Sequence, residues 1–523
     1  MNKALFIYIL PAFLFWACDH SEKTLFRLIE SNHTNIDFSN DLTFSQDFNI
    51  FKYRNYYNGG GIGLIDFNND NLPDIYMVAN MGPNKLFKNE GGFKFADVTE
   101  TAGVSGTHAW CTGVTVADVN ADGWPDIYIC NSGDVPGDNK QNELFINNGD
   151  GTFSEKGEEY GLANRGFSIH AAFFDYDKDG DLDMYLVNNS YKAIGSFNLV
   201  DNKRWERDSN GGDKLFRNDN GFFIDVSEET GIYGSVIGFG LGVTIADINN
   251  DNWLDIYISN DFFERDYLYI NNHQGGFEEK LEDHIKSISA AAMGADIGDL
   301  NNDGYLEIFV TDMLPYVNER IKTVTTFDSW ERYQFGFEND YWHQFTRNVL
   351  QYNNGDNTFS EIGRLAGVEA SDWSWAPLIF DLQNDGLKDI FISNGITQDL
   401  TNQDFLQYVT QDEITMQITA GGRVDYETLI SYIPSVAIPN HAFVNKGDFT
   451  FTNKSKELGL DQLSFSNGAV YGDLDNDGDL DIVINNANMP MFLYENRTET
   501  FFPENHYLRF ILKGENGNTN AFG

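Results

Sequence analysis

One nine-residue pattern recurs seven times along this chain, and it constrains the fold more than any other feature. The first copy reads Asp66-Phe67-Asn68-Asn69-Asp70-Asn71-Leu72-Pro73-Asp74. The others run Asp118–Asp126, Asp175–Asp183, Asp247–Asp255, Asp299–Glu307, Asp381–Asp389 and Asp473–Asp481. A recurring unit of this kind marks a repeat architecture, in which each unit buries its apolar faces against its neighbours. A β-type run such as Gly113–Ala117 precedes each copy, and Ile127-Tyr128-Ile129 or an equivalent follows it. The motif is therefore the tip of a β-hairpin. Two more short strands complete the unit, as in Leu86–Asn89 and Phe95–Thr99, before a link such as Ala102-Gly103-Val104. Four strands per unit, seven times over, predicts an all-β fold, a seven-bladed β-propeller spanning residues 24–496.

The hairpin tips carry the chemistry. Oxygen-bearing side chains stand at the first, third, fifth and ninth positions of every copy. They are Asp66, Asn68, Asp70 and Asp74, then Asp118, Asn120, Asp122 and Asp126, then Asp175, Asp177, Asp179 and Asp183. The fourth to seventh copies contribute Asp247, Asn249, Asp251 and Asp255; Asp299, Asn301, Asp303 and Glu307; Asp381, Gln383, Asp385 and Asp389; and Asp473, Asp475, Asp477 and Asp481. The seventh position, at Leu72, Trp124, Asp181, Trp253, Tyr305, Leu387 and Asp479, offers a backbone carbonyl. Alternating carboxylates in a tight loop converge on one hard cation, and an all-oxygen set suits Ca²⁺. The hairpin loops are thus expected to bind calcium, at up to seven sites, with the sixth weakened by Gln383. Gly or Asn at the sixth position, as at Gly123, Gly180 and Asn252, supplies the sharp turn. This use of carboxylates gives a reason for the net charge of −46. A surface of that sign repels phosphate backbones and excludes nucleic acid as a partner. An aromatic content of 15% argues against disorder.

These residues resemble FG-GAP/VCBS repeats, the calcium-bearing blades also seen in integrin α subunits. The strand Leu25–Ile29 looks like a fourth strand, and the seventh unit lacks one after Asn496. The N-terminal strand is therefore expected to complete the last blade and close the ring. Residues 505–523, from Asn505-His506-Tyr507-Leu508-Arg509 to Ala521-Phe522-Gly523, resemble the opening of an ASPIC/UnbV domain, truncated here. Such a domain accompanies propellers in the cartilage acidic protein family. At the other end, Lys3 and the apolar run Ala4–Trp16 precede Cys18 and a polar stretch, Asp19–Lys23. This resembles a bacterial lipoprotein signal over residues 1–18 with Cys18 lipidated, although Leu14 lies one place further from Cys18 than usual. The alternative is simple secretion with cleavage nearby. Either implies export, and the first implies a membrane anchor at the outer membrane or surface of a Gram-negative bacterium. Cys111 and Cys130 fall in strands of one unit, offset in register, and are expected to be two buried thiols.

Function is less constrained. Connections between second and third strands lie opposite the hairpin tips, and three are long: about 189–214, 313–349 and 395–441. Insertions on one face suggest a binding face, and these are rich in aromatics, Trp205, Trp330 and Tyr316 among them. The alternative is that they pack on one another as lids. The stretch 403–418 is expected to form a short helix. Trp110, Phe167, Phe239, Trp373 and Phe465 begin innermost strands and are expected to ring the channel mouth, with Trp375 beside them. Five residues before each loop stands a small residue, except at His170, which either contacts a ligand in the channel or is simply accommodated there. No nucleophile elbow, phosphate-binding loop or histidine pair at metal spacing is present in the sequence. The expectation is a cell-surface binding module for glycan, peptide or a partner protein, with no catalytic residue assigned. The alternatives are a polysaccharide lyase or hydrolase using carboxylates such as Glu206, Asp208, Glu331 and Asp340, or a scaffold displaying the C-terminal module.

Overall fold

The computed structural model describes residues 24–325, 329–411, 424–510, 512–514 and 518. Segment 1–18, with Cys18, lies outside them. Seven four-stranded antiparallel sheets form a β-propeller. Their innermost strands are Ile62–Ile65, Cys111–Ala117, Ser168–Phe174, Gly240–Ala246, Ala295–Gly298, Ser374–Phe380 and Ser466–Gly472. Each hairpin tip joins the first strand of its blade to the second, as in the pairing of Ile65 with Asp74. No described helix is long and apolar enough to cross a membrane.

The ring closes through the N-terminus. Arg27–Leu28 pairs antiparallel with Phe492–Glu495, with Arg27 opposite Glu495 and Leu28 opposite Tyr494. The last blade thereby takes its outer strand from the start of the chain. Leu25 and Phe26 anchor this closure, buried among Phe380, Phe391, Ile482 and Tyr494 in the core between blades 6 and 7. Every other blade junction has its own apolar cluster, because each sheet is apolar on both faces and shares each face with a neighbour. Cys111 lies in the cluster between blades 1 and 2 and Cys130 in the one between blades 2 and 3. Both are buried free thiols, on adjacent strands that present them to opposite faces of the sheet.

Small residues set the radius of the channel. A Cβ added at Gly113 would lie 2.4 Å from the Ile169 carbonyl oxygen, and one at Gly294 2.7 Å from that of Trp375. Backbone approaches this close leave no room for a side chain. A second set of contacts locks the hairpin tips together. The fourth residue of each loop is in the left-handed region, from Asn69 to Asn476. Where it is Asn, its amide reaches the next blade: Asn69 Nδ2 donates to Gly123 O, Asn250 to Gly304 O, Asn302 to Gly386 O, Asn384 to Gly478 O and Asn476 to Asn71 O, at 2.8–3.1 Å. Ala121 cannot make this bond, and Lys178 instead lies over the Trp253 ring, 4.5 Å from its centroid.

Candidate cation loops and a roofed channel

The ninth residue of every loop is held by the backbone. Asp183 Oδ1 accepts the Asn218 N–H at 2.9 Å and Oδ2 the Tyr176 N–H at 3.2 Å. The same pair of bonds recurs in blade 7, from Asn496 and Leu474 to Asp481. These carboxylates sit at the inner wall of the loop, and burial pushes Asp74, Asp126, Asp255, Glu307 and Asp389 up to about 7. The first residue of the loop accepts from the N–H of the sixth, as in Asp175 Oδ2 from Gly180 at 3.1 Å. The fifth accepts from the seventh, as in Asp179 Oδ1 from Asp181 at 3.1 Å.

The seven loops are not equivalent, a distinction that their shared spacing concealed. In blades 1, 2, 4 and 5 the third residue is Asn, and its amide donates to the fifth-position carboxylate: Asn68 to Asp70, Asn120 to Asp122, Asn249 to Asp251 and Asn301 to Asp303, at 2.8–2.9 Å. Asp251 has a further partner in His273 Nε2 at 2.8 Å. Blades 3 and 7 have Asp at the third position and no such donor. There Asp175, Asp177 and Asp183 bring ligand oxygens within 4.8 Å of one another, as do Asp473, Asp475 and Asp477. Buried oxygens without any hydrogen-bond donor remain on Asp175, Asp181, Asp473 and Asp479. Burial pushes Asp183 up to about 9, with Asp177 and Asp181 adding repulsion against the bonds from Asn218 and Tyr176. Burial and the neighbouring Asp179 push Asp181 up to about 7. A cluster of half-buried to buried, mutually repelling carboxylates with unused lone pairs is the donor set a hard divalent cation requires. The residues of these two loops fit such an ion best.

The aromatic ring on the opposite face lies where the sequence places it, but it is not an open surface. Residues 40–58 run from the closing strand across the channel mouth and cover it. Phe48, Tyr53 and Tyr56 of this segment pack on Trp110, with ring centroids 5.1–5.5 Å apart, and Trp110 is fully buried. Phe239 lies beneath Phe197, Phe262 and Phe263, with the Arg54 guanidinium 4.8 Å from its centroid. Phe167 stacks on Tyr191 at 4.8 Å, Trp373 and Trp375 are buried, and Phe465 packs against the same cluster. Their exposure to a ligand, expected from their position, is therefore corrected. They are the core of a lid, because 40–58 and the insertions supply the apolar partners that these rings need. The signal available was the run Phe44, Phe48, Phe51, Tyr53, Tyr56 and Tyr57, too aromatic for a plain linker.

Ion pairs on two arginines, Arg204 buried and Arg320 half-buried, link the parts of the lid. Arg204, in the blade 3 insertion, is paired with Glu264 of blade 4 at 2.5 Å and with Asp340 of the blade 5 insertion at 2.8 Å. Arg320 joins the blade 5 insertion to Asp372 at 2.8 Å and to Asp399 of the blade 6 insertion. Asp340 and Asp399 are thus engaged. Glu206 pairs with Lys203 and Asp208 with Lys192. Within the blade 6 insertion a helix covers Gln403–Val409, and 412–423 lie outside the described residues. Beneath the lid the axis holds a partly open cavity of about 250 Å³, lined by Asn58, Thr112, His170 and Asn467 among others. His170 projects into it, and burial holds its imidazole below its ordinary value, hence neutral at pH 7.

The hairpin geometry agrees with a family comparison. A model of the FG-GAP-like repeat matches residues 66–129, 131–186 and 247–310. This chain carries FG-GAP repeats. It is homologous to cartilage acidic protein 1 from Xenopus tropicalis, at 28% identity over 214 residues, which is 39% of this chain and 29% of that protein. Integrin alpha-3 from Mus musculus is 30% identical over 99 residues, 16% of this chain and 9% of that protein. The matches span less than a third of the curated relatives. Among solved structures, a lectin from Agrocybe aegerita that recognises non-reducing terminal N-acetylglucosamine superposes with a TM-score of 0.38 at 16% identity, covering 77% of this chain and 82% of that one.

Proposed function

We propose that this protein is an exported, calcium-loaded interaction module that presents the outer surface of its lid to a glycan, peptide or protein at the cell surface. The observation that carries the calcium reading is the set of donorless buried carboxylate oxygens on Asp175, Asp181, Asp473 and Asp479. When bound, calcium supplies the positive charge that these loops lack and ties the hairpin tips of blades 3 and 7. The ligands in blade 3 are Asp175, Asp177, Asp179 and Asp183, and in blade 7 Asp473, Asp475, Asp477 and Asp481. The loops of blades 1, 2, 4, 5 and 6 bind more weakly. Sites with four carboxylates fill at the calcium levels found outside cells, which accords with export through segment 1–18 and anchoring at Cys18.

The lid offers two large exposed indoles, Trp205 at 68% and Trp330 at 69% accessibility, on separate insertions. Such rings stack on sugars or enter apolar pockets of a partner. The test is a glycan and peptide array probed with calcium-loaded protein starting after Cys18. The reading expects ligands whose binding falls at least tenfold in Trp205→Ala or Trp330→Ala. Binding that ignores both substitutions overturns the lid surface as the docking face.

A further inference from the structure

Closing the ring with an N-terminal strand has a chemical side effect in blade 7. In the other six blades the chain leaves the third strand and turns outward to form its own fourth strand. In blade 7 that place is taken by Arg27–Leu28, so the chain after Glu495 goes elsewhere. It makes a short turn of helix, Thr498–Phe501, beside the hairpin tip. Asp479 Oδ2 accepts the Thr498 N–H at 2.8 Å and holds the turn there. This brings Glu499 to the loop, and Asp477, Asp479 and Glu499 place ligand oxygens within 4.8 Å of one another.

We propose that Asp477, Asp479 and Glu499 form a second divalent-cation site, adjacent to the loop ion of blade 7 and sharing Asp477 with it. Asp479 carries the argument. It is only 2% exposed, and its Oδ1 is buried with no donor. Nearby cations are otherwise engaged: Arg497 donates to the Thr24 carbonyl and lies 5.3 Å from the Phe501 centroid, and Arg509 donates to Asn476 Oδ1 and faces Asp473 at 3.7 Å. Among the described residues no ion pair reaches Asp477, Asp479 or Glu499. Three carboxylates meeting at a buried, donorless oxygen call for a hard cation such as Ca²⁺, completed by water on the exposed Glu499 side. Blade 3 repeats the Asp at this loop position with the half-buried Asp181, but its chain continues into a fourth strand and brings no equivalent of Glu499. The site therefore belongs to the closing blade alone, and it would fasten the segment that follows the propeller to the face of the hairpin tips.

The inference rests on the calcium reading only through Asp477. It is tested on the chain starting after Cys18 by anomalous diffraction from crystals soaked in Ca²⁺ or Tb³⁺, with equilibrium dialysis of Ca²⁺ in solution. The expected result is two separate peaks in blade 7, one among Asp473, Asp475 and Asp481 and one within about 2.3–2.6 Å of Asp479 and Glu499 oxygens. Glu499→Gln, an exposed and conservative change, loses the second peak and binds one fewer Ca²⁺ per chain. A loop peak alone, with unchanged stoichiometry in Glu499→Gln, overturns the second site and leaves the loop reading standing. No peak at either position overturns both.

Discussion

Removing calcium should make this protein acid-stable and base-labile, the reverse of the usual behaviour of a carboxylate-rich chain. In the cation-free fold, burial holds Asp183 up at about 9, Asp479 at about 8 and Asp181 at about 7. In the unfolded chain each titrates near 4. The folded state therefore binds more protons between about pH 4 and pH 9, and stability falls as pH rises through that window. The contribution is fully present below about pH 4 and gone above about pH 9. One pH unit of displacement is worth about 1.4 kcal/mol. Cutting the Asp183 displacement to about a third, because its charge couples to its neighbours, still leaves about 2 kcal/mol from that side chain. Calcium acts in the opposite sense: at about 100 times Kd, each site adds about 2.7 kcal/mol. Two filled sites give roughly 5 kcal/mol, a Tm rise of about 5 °C for a propeller of this length. Calorimetry of calcium-stripped and calcium-loaded protein at about pH 5 and about pH 8 measures both effects. The stripped protein should melt lower at the higher pH, and calcium should raise Tm far more there. Equal melting temperatures at both pH values, unmoved by calcium, would refute the reasoning.

Three further outcomes follow from the packing. Asp177→Asn should remove one tightly bound Ca²⁺ in dialysis, whereas Asn68→Ala should leave the tight-site stoichiometry unchanged, because Asn68 belongs to a loop with one carboxylate fewer, whose Asp70 accepts the Asn68 amide. Arg204→Met should cost about 3–5 kcal/mol in urea unfolding, since it strands Glu264 buried and unpaired; a loss under about 1 kcal/mol would show that the lid is not held by this pair. Gly113→Ala should destabilise by at least about 1–3 kcal/mol, because the new methyl meets the Ile169 carbonyl at 2.4 Å, and an unchanged urea midpoint would show that the axial strands have room to move.

A pattern with one fixed spacing carries its own geometry, and this is why so much of the propeller is legible before folding. Hairpin, blade count, the face of the loops, the face of the insertions and the missing fourth strand all follow from where Asp66 and its six counterparts stand relative to the strands. Closure by Arg27–Leu28 is equally legible, although it joins the two ends of the chain, since a strand without a sheet must pair with a sheet without a strand. What the spacing could not rank was the loops. Asn68 and Asp177 occupy the same place, yet only in three dimensions does the Asn amide fold back on the carboxylate two residues on, leaving blades 3 and 7 with charge to spare.

The aromatic positions show the same division. Hydrophobic rings at a channel mouth are equally consistent with a ligand surface and with a core, because a sequence states what wants burial and not what buries it. Only the tertiary structure decides that residues 40–58 cross the mouth and pack Phe48 and Tyr56 on Trp110. Glu499 is the converse case: by sequence an unremarkable glutamate past the last strand, it reaches Asp479 because ring closure denies the chain its usual path. The repeated loops by themselves determined the architecture and the candidate ligands. Contacts in the folded chain decided which loops keep donorless carboxylate oxygens, which rings are hidden and where an additional carboxylate joins them.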